Sequence, residues 1–175
     1  MRPIAKPQKS YKLSYKKKSP TTDSYLPRGA NRSISVCESC RAVNMNKRWY
    51  AEGKVTESAL KTHASEKVLC PACLKIQDNF PGGIVTLKGD YVLPHKNDLM
   101  TVIHNEEERA RKLNPLERVM SVKESGDGGL VISTTNERLA QRFGRAIKRA
   151  FHGTVTYGWS HDNKLVRVEW LRDAA

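Results

Sequence analysis

Acidic residues are scarce in this chain. Only 18 Asp and Glu stand against 31 Lys and Arg over 175 residues, which leaves a formal charge of +13. Long apolar runs are missing as well. No stretch approaches the roughly 18 apolar residues of a spanning helix, and the mean hydropathy of −0.61 agrees, so a helical membrane protein is excluded. Aromatic residues make up only 7%, yet 38% of the chain is apolar and Val, Ile and Leu recur in periodic blocks. That argues against a wholly disordered chain. The N-terminal segment has no apolar signal core, because Ile4 and Leu13 stand alone among lysines and prolines. Pro3, Pro7 and Pro20 break any amphipathic transit helix there. The expectation is a cytoplasmic protein.

The charge that is present is concentrated. Residues 1–33 carry nine basic side chains and one acid, Asp23, so this short stretch holds +8 of the total. Residues 34–94 contribute +2 and residues 95–175 contribute +3. A concentrated basic arm says more about partners than a high isoelectric point does. This arm is poor in large aliphatics, so it cannot bury enough apolar surface to offset its ordering entropy. We expect it to be disordered alone. Tyr11, Tyr15 and Tyr25 interleave with Lys12, Lys16, Lys17, Lys18, Arg28 and Arg32. Lysine and arginine neutralise phosphate, and a tyrosine ring can stack on an unpaired base. The alternative is a solubilising tail. No amphipathic helix or lipidation motif points to a membrane surface.

The four cysteines are Cys37, Cys40, Cys70 and Cys73, two CxxC pairs with 29 residues between them. Each pair can form a tight knuckle that turns two thiolates toward one ion. Two knuckles then supply the four sulfurs of a structural, tetrahedral zinc site. Soft thiolates select zinc over magnesium or calcium. An iron–sulfur cluster is the rival reading. Disulfides are disfavoured without a secretory signal, and four thiolates would leave no open coordination position for catalysis. His63, between the knuckles, could replace one thiol. The long spacer needs structure of its own, and Thr56 to Lys67 reads as helical.

The rest reads as alternating elements. Phe80-Pro81-Gly82-Gly83 is a turn, followed by short strands at Ile84–Leu87 and Tyr91–Leu93. Leu99, Val102, Ile103 and Ala110 fall on one face of a helix from Asn97 to Lys112, which Asn114-Pro115 ends. Glu107–Arg111 and Glu108–Lys112 have i,i+4 spacing in the favourable order. Gly126-Asp127-Gly128-Gly129 joins two strands as a hairpin. Thr134 to Glu137 has capping-box spacing and opens a second helix, whose apolar face is Leu139, Phe143, Ala146, Ile147 and Ala150. Arg138, Arg142, Arg145 and Arg149 form a stripe along it, flanked by Lys148. The functional reading of this stripe is a phosphate-contacting helix, and the bland one is a solvated face paired with acids such as Glu117 or Glu124. A final hairpin runs from Thr154 to Leu171, with its turn at Ser160–Asn163.

The fold class expected is α+β. A four-cysteine zinc-ribbon-like module spans residues 34–94, and a helix-β-β-helix-β-β antiparallel-sheet domain spans 95–175. Catalysis is not expected, because His95, His104, His152 and His161 stand singly and no nucleophile is placed beside a base. The chain reads as a non-catalytic RNA-binding protein with no small-molecule substrate. A zinc-containing DNA-binding transcriptional regulator is the alternative.

Several segments resemble a poorly characterised bacterial family of small zinc-ribbon proteins. They are Cys37-x-x-Cys40, Lys47-Arg48-Trp49, Cys70-Pro-Ala-Cys73, Pro81-Gly-Gly-Ile-Val-Thr-Leu-x-Gly89, Ile103-His-Asn-Glu-Glu107 and Asn114-Pro-Leu-Glu-Arg118. More distantly, the paired knuckles and the segment from Asp127 to Ala140 are similar to the N-terminal part of the archaeal and eukaryotic large-ribosomal-subunit export adapter. That resemblance implies docking on ribosomal RNA or a ribosomal particle. It assigns the zinc role to Cys37, Cys40, Cys70 and Cys73. The adapter's later domains have no counterpart here, so export itself is not implied.

Overall fold

The computed structural model describes residues 25, 34–53, 56–58, 61, 65–160 and 165–173. The arm residues Lys12, Lys16, Lys17, Lys18, Arg28 and Arg32, and the expected disorder of the arm, lie outside the described residues, as does His63. The architecture is mixed α+β with two sheets. No helix among the described residues is long and apolar enough to cross a membrane.

The first sheet has the order β3-β2-β1-β4. β1 (Ile34–Cys37), β2 (Val43–Met45) and β3 (Arg48–Tyr50) form an antiparallel meander. Asn46 and Lys47, both at positive φ, make the tight turn between β2 and β3. β4 (Ser65–Val68) then lies parallel to β1, with Cys37 opposite Val68. The helix expected over Thr56 to Lys67 is therefore only partly realised. Residues 56–58 are helical, but the end of that stretch is strand. Pairing with the free edge of β1 overrides the local helical pattern, as tertiary contacts commonly do. Two residues after β4, Cys70 caps α1 (Pro71–Gln77), with Pro71 in the first turn, where its missing N–H costs nothing.

The second sheet has the order β6-β7-β5-β9-β8. β5 (Gly83–Lys88) lies at its centre. The boundary expected after residue 94 is thus corrected: residues 83–88 belong to the second sheet, and the chain crosses between sheets near Pro81. Tyr91–Leu93 is a turn rather than a strand, leading into α2 (Lys96–Leu113). β6 (Val119–Glu124) and β7 (Leu130–Thr134) form the expected hairpin around the Gly-Asp-Gly-Gly turn, where Gly128 has φ of +80°. α3 (Glu137–Phe151) follows, and then the hairpin of β8 (Thr154–Trp159) and β9 (Val166–Leu171). The expected antiparallel sheet is mixed instead. β9 inserts between β8 and β5 and runs parallel to β5. Val166, Val168 and Trp170 of β9 are all buried on one face, whereas β8 is largely exposed and takes the edge.

Both helices cover one face of this sheet. Leu99, Ile103 and Ala110 of α2 and Leu139, Phe143 and Ile147 of α3 meet Val85, Leu87, Leu130, Ile132 and Trp170 in one core. Ala150, expected on that face, is exposed. Gly144 permits the close approach of α3, since a methyl there would lie 2.7 Å from the Val168 Cγ1. The expected capping box does not form as spaced. Asn136, not Thr134, is the N-cap, and its Oδ1 accepts from the Leu139 N–H at 3.0 Å. Thr134 is buried and donates its hydroxyl to the carbonyls of Gly83 and Asn136. Asn136→Ala should lower stability by about 1 kcal/mol, read as a shift of the urea midpoint at constant slope.

Candidate metal centre and cationic helix face

The two knuckles meet because β1 and β4 are parallel and in register. Cys37 ends β1, and Cys70 follows β4 at the same end of the sheet. After Cys37 the chain turns tightly. The Arg41 N–H bonds the Cys37 carbonyl at 2.8 Å, and the Cys37 N–H bonds the Ala42 carbonyl at 2.8 Å. Arg41 takes φ of 61° to close this turn. The second knuckle is the first turn of α1, where the Cys73 N–H donates to the Cys70 sulfur at 3.4 Å.

All four Sγ atoms lie within 4.8 Å of one another. Cys37 and Cys73 are 3.7 Å apart, and Cys40 and Cys70 are 3.6 Å apart. A disulfide needs about 2.05 Å, and no sulfur here is bonded to another. A tetrahedron with metal–sulfur bonds of about 2.3 Å has edges of about 3.8 Å. The spacing therefore fits a four-thiolate metal site. Cys37, Cys70 and Cys73 are buried, while Cys40 is partly exposed.

Each sulfur has a donor. The Cys70 N–H reaches Cys37 at 3.3 Å. Arg118, just before β6, reaches the other three: Nη2 lies 2.7 Å from Cys40 and 3.6 Å from Cys70, and Nη1 lies 3.4 Å from Cys73. Its Nε is anchored on the Pro115 carbonyl at 2.9 Å. A guanidinium thus serves the three sulfurs that the Cys70 amide does not. The hydrogen bond from the Cys70 thiol holds Cys40 down at about 4; the Ala42 N–H and Arg118 assist, and burial opposes. Cys70 is pushed up, first by sharing its hydrogen bond with Cys40 and then by burial. Coordination needs thiolates, so metal binding displaces thiol protons.

Arg118 is the site residue that the cysteine spacing does not reveal. It stands 45 residues beyond Cys73 in the chain and approaches only through the fold. Trp49 also belongs here, buried in one cluster with Cys37, Cys70 and Ala72.

On α3, acids from elsewhere divide the basic stripe. Arg142 pairs with Glu117 at 3.6 Å, and Arg149 approaches Glu106 at 3.9 Å. Glu117 is only 3% exposed, and its other oxygen accepts from the Asn114 amide at 3.4 Å. Arg138, Arg145 and Lys148 are exposed and have no carboxylate within ion-pair distance among the described residues. On α2, the expected pairs Glu107–Arg111 and Glu108–Lys112 do not form. Glu107 accepts from the Val119 N–H at 2.9 Å, and Glu108 pairs with His104 at 3.3 Å. A backbone N–H left over at the start of β6 outcompetes a solvated side chain for Glu107. His95 is stacked on Tyr91 and bonds its carbonyl at 3.0 Å, a packing role. Trp170 is core, whereas Trp159 is 59% exposed at the end of the edge strand.

No family model, curated protein or solved structure matches the chain, and what characterises its chemistry is the four-sulfur cluster with its arginine.

Proposed function

We propose that this is a non-catalytic RNA-binding protein, stabilised by structural zinc and associated with ribosomal RNA or a ribosomal particle in the cytoplasm. Four buried or half-buried thiolates complete a tetrahedral shell and leave no position for water or substrate, which supports a structural role for the metal. Zinc suits four thiolates held at these spacings better than any oxygen-seeking cation. The observation that carries RNA binding is the division of the α3 cations. Arg142 is held by the buried Glu117, while Arg138, Arg145 and Lys148 are exposed with no carboxylate at ion-pair distance among the described residues; Arg149 is exposed too, and the Glu106 oxygen 3.9 Å from it is held by Arg109 at 2.8 Å. Such cations contact phosphate without reading sequence, as structured RNA recognition requires. The basic arm over residues 1–33 adds to the same electrostatic footprint. The resemblance to the ribosomal export adapter names the ribosome among RNA targets.

The test is sedimentation of this protein through sucrose gradients at low and high salt. Co-migration with a ribosomal particle, lost at high salt, is the expected result. If about five phosphates are neutralised, the plot of log affinity against log salt should have a slope of roughly −3 to −5. A slope near zero would overturn the reading. Competition between ribosomal RNA and duplex DNA separates it from a DNA-binding regulator: the RNA should displace the protein from duplex, and not the reverse.

A further inference from the structure

The outward cations of α3 and an exposed aromatic pair of β8 lie on the same face of the second sheet, the face on which Gly144 meets Tyr157. At 100° per residue, Arg138 and Arg145 lie about 20° apart on the helix; Arg149 lies about 20° and Arg142 about 40° beyond Arg138 on the α2 side. That side is where Glu106 and Glu117 approach them. Lys148 lies about 60° from Arg145 the other way, next to Gly144. Gly144 faces β8: a methyl added there would come within 3.0 Å of the Tyr157 hydroxyl. Trp159, two residues and about 7 Å further along β8, draws level with the turn between Arg138 and Arg145. Its ring stacks on Tyr157, with centroids 6.1 Å apart and planes 24° from parallel.

An indole left 59% exposed at a sheet edge contributes little to the core. Here one face is braced by Tyr157, and α3 presents Arg138, Arg145 and Lys148 to solvent, with one acid, Glu137, in its first turn toward the β8 flank. Exposed cations beside an aromatic platform are the two components of single-strand recognition, charge for the backbone and a π-face for an unstacked base. A duplex offers the charge contacts but keeps its bases stacked. Resting on the RNA-binding reading, we infer that the ligand of this face is single-stranded RNA, with a base stacked on Trp159 and phosphates held by Arg138, Arg145 and Lys148. Trp159 is then a specificity-determining residue for strandedness.

The full chain, loaded with zinc, is titrated against a short fluorescent single-stranded RNA and against the same RNA annealed to its complement. Trp49 and Trp170 are buried, so quenching of the exposed indole by the single strand reports stacking directly. Trp159→Ala should weaken single-strand binding roughly five- to a hundredfold and leave duplex binding unchanged. Trp159→Phe, which keeps a ring, should retain most of the affinity. Arg145→Gln should weaken both and flatten the salt slope by about one unit. Unchanged single-strand binding in Trp159→Ala, or equal loss on both probes, overturns the stacking role while Arg145→Gln still scores the RNA reading. If the wild-type chain binds neither RNA, both ideas fall together.

Discussion

Cys70→Ser should abolish stoichiometric zinc binding and unfold the first sheet while the second stays folded. Cys70 supplies a ligand, caps α1 and gives its N–H to the Cys37 sulfur at 3.3 Å. Serine keeps the N–H and can still cap the helix, so the variant removes the sulfur ligand alone. The apolar cluster around it is small, chiefly Ala42, Trp49, Ala72 and the cysteines themselves. Such a cluster cannot hold a fold alone, and structural zinc commonly contributes on the order of 10 kcal/mol of apparent binding energy. Residues 34–80 should therefore lose fixed tertiary structure in the variant, or in the wild type treated with a strong chelator. The core of the second sheet is separate, built from Val85, Leu130, Phe143, Trp170 and their neighbours. Metal analysis with two-dimensional NMR checks both halves of this expectation. Dispersed amide signals should vanish for 34–80 and persist for 83–171. Retention of zinc with unchanged spectra would refute the assignment.

Trp170→Ala should destabilise the second sheet by about 3–5 kcal/mol. Trp170 is the largest fully buried side chain, and Tyr91 meets it edge-on at 6.2 Å. Its Nε1 donates to the His152 carbonyl at 2.7 Å, pinning the turn from α3 into β8 where His152 and Gly153 both take positive φ. Truncation opens a cavity and strips a partner from that carbonyl. Against a typical total of about 5–15 kcal/mol, the loss is a large share. Urea unfolding followed by far-UV circular dichroism measures it. A change under about 1 kcal/mol would mean that the core is held elsewhere. Trp170→Phe, which fills much of the space but lacks the donor, should fall between.

The metal cluster is legible in the sequence because CxxC is a local motif: two thiols three residues apart converge whatever surrounds them. α2 is legible for a similar reason, since Leu99, Ile103 and Ala110 mark its buried face and Pro115 its stop. What is illegible depends on partners far along the chain. β4 lies at the end of a stretch with a helical local pattern, and its pairing with β1 makes it a strand. The hairpin of β8 and β9 is visible, but nothing local says which strand abuts β5. Asn136 and Thr134 both have capping side chains two residues apart, and burial of Thr134 against Gly83 decides between them. The arginine stripe is visible whole. Its division requires knowing that Glu106 and Glu117 come to one side of it. Arg118 has no signal except its position in a longer matching segment, because an arginine's reach is set by the fold and not by spacing.

The placement of β9 bears on the order in which this protein can be assembled. The metal ligands are complete at Cys73, and every strand of the first sheet precedes it. That unit can close around its ion as soon as α1 has emerged from synthesis. The second sheet has no such freedom. Its central strand is its first, and that strand is flanked on one side by the last, with Gly83 opposite Val166. Loop-closure entropy must be met before this parallel pairing is rewarded, so it is intrinsically slow. Until then one edge of β5 stands open, tethered by a short crossover to a four-sulfur site that still awaits Arg118. Maturation of the nascent chain is thus staged from the N-terminal side. The four-sulfur cluster comes first, and the surface carrying Trp159 and the outward cations takes shape only when the final strand arrives.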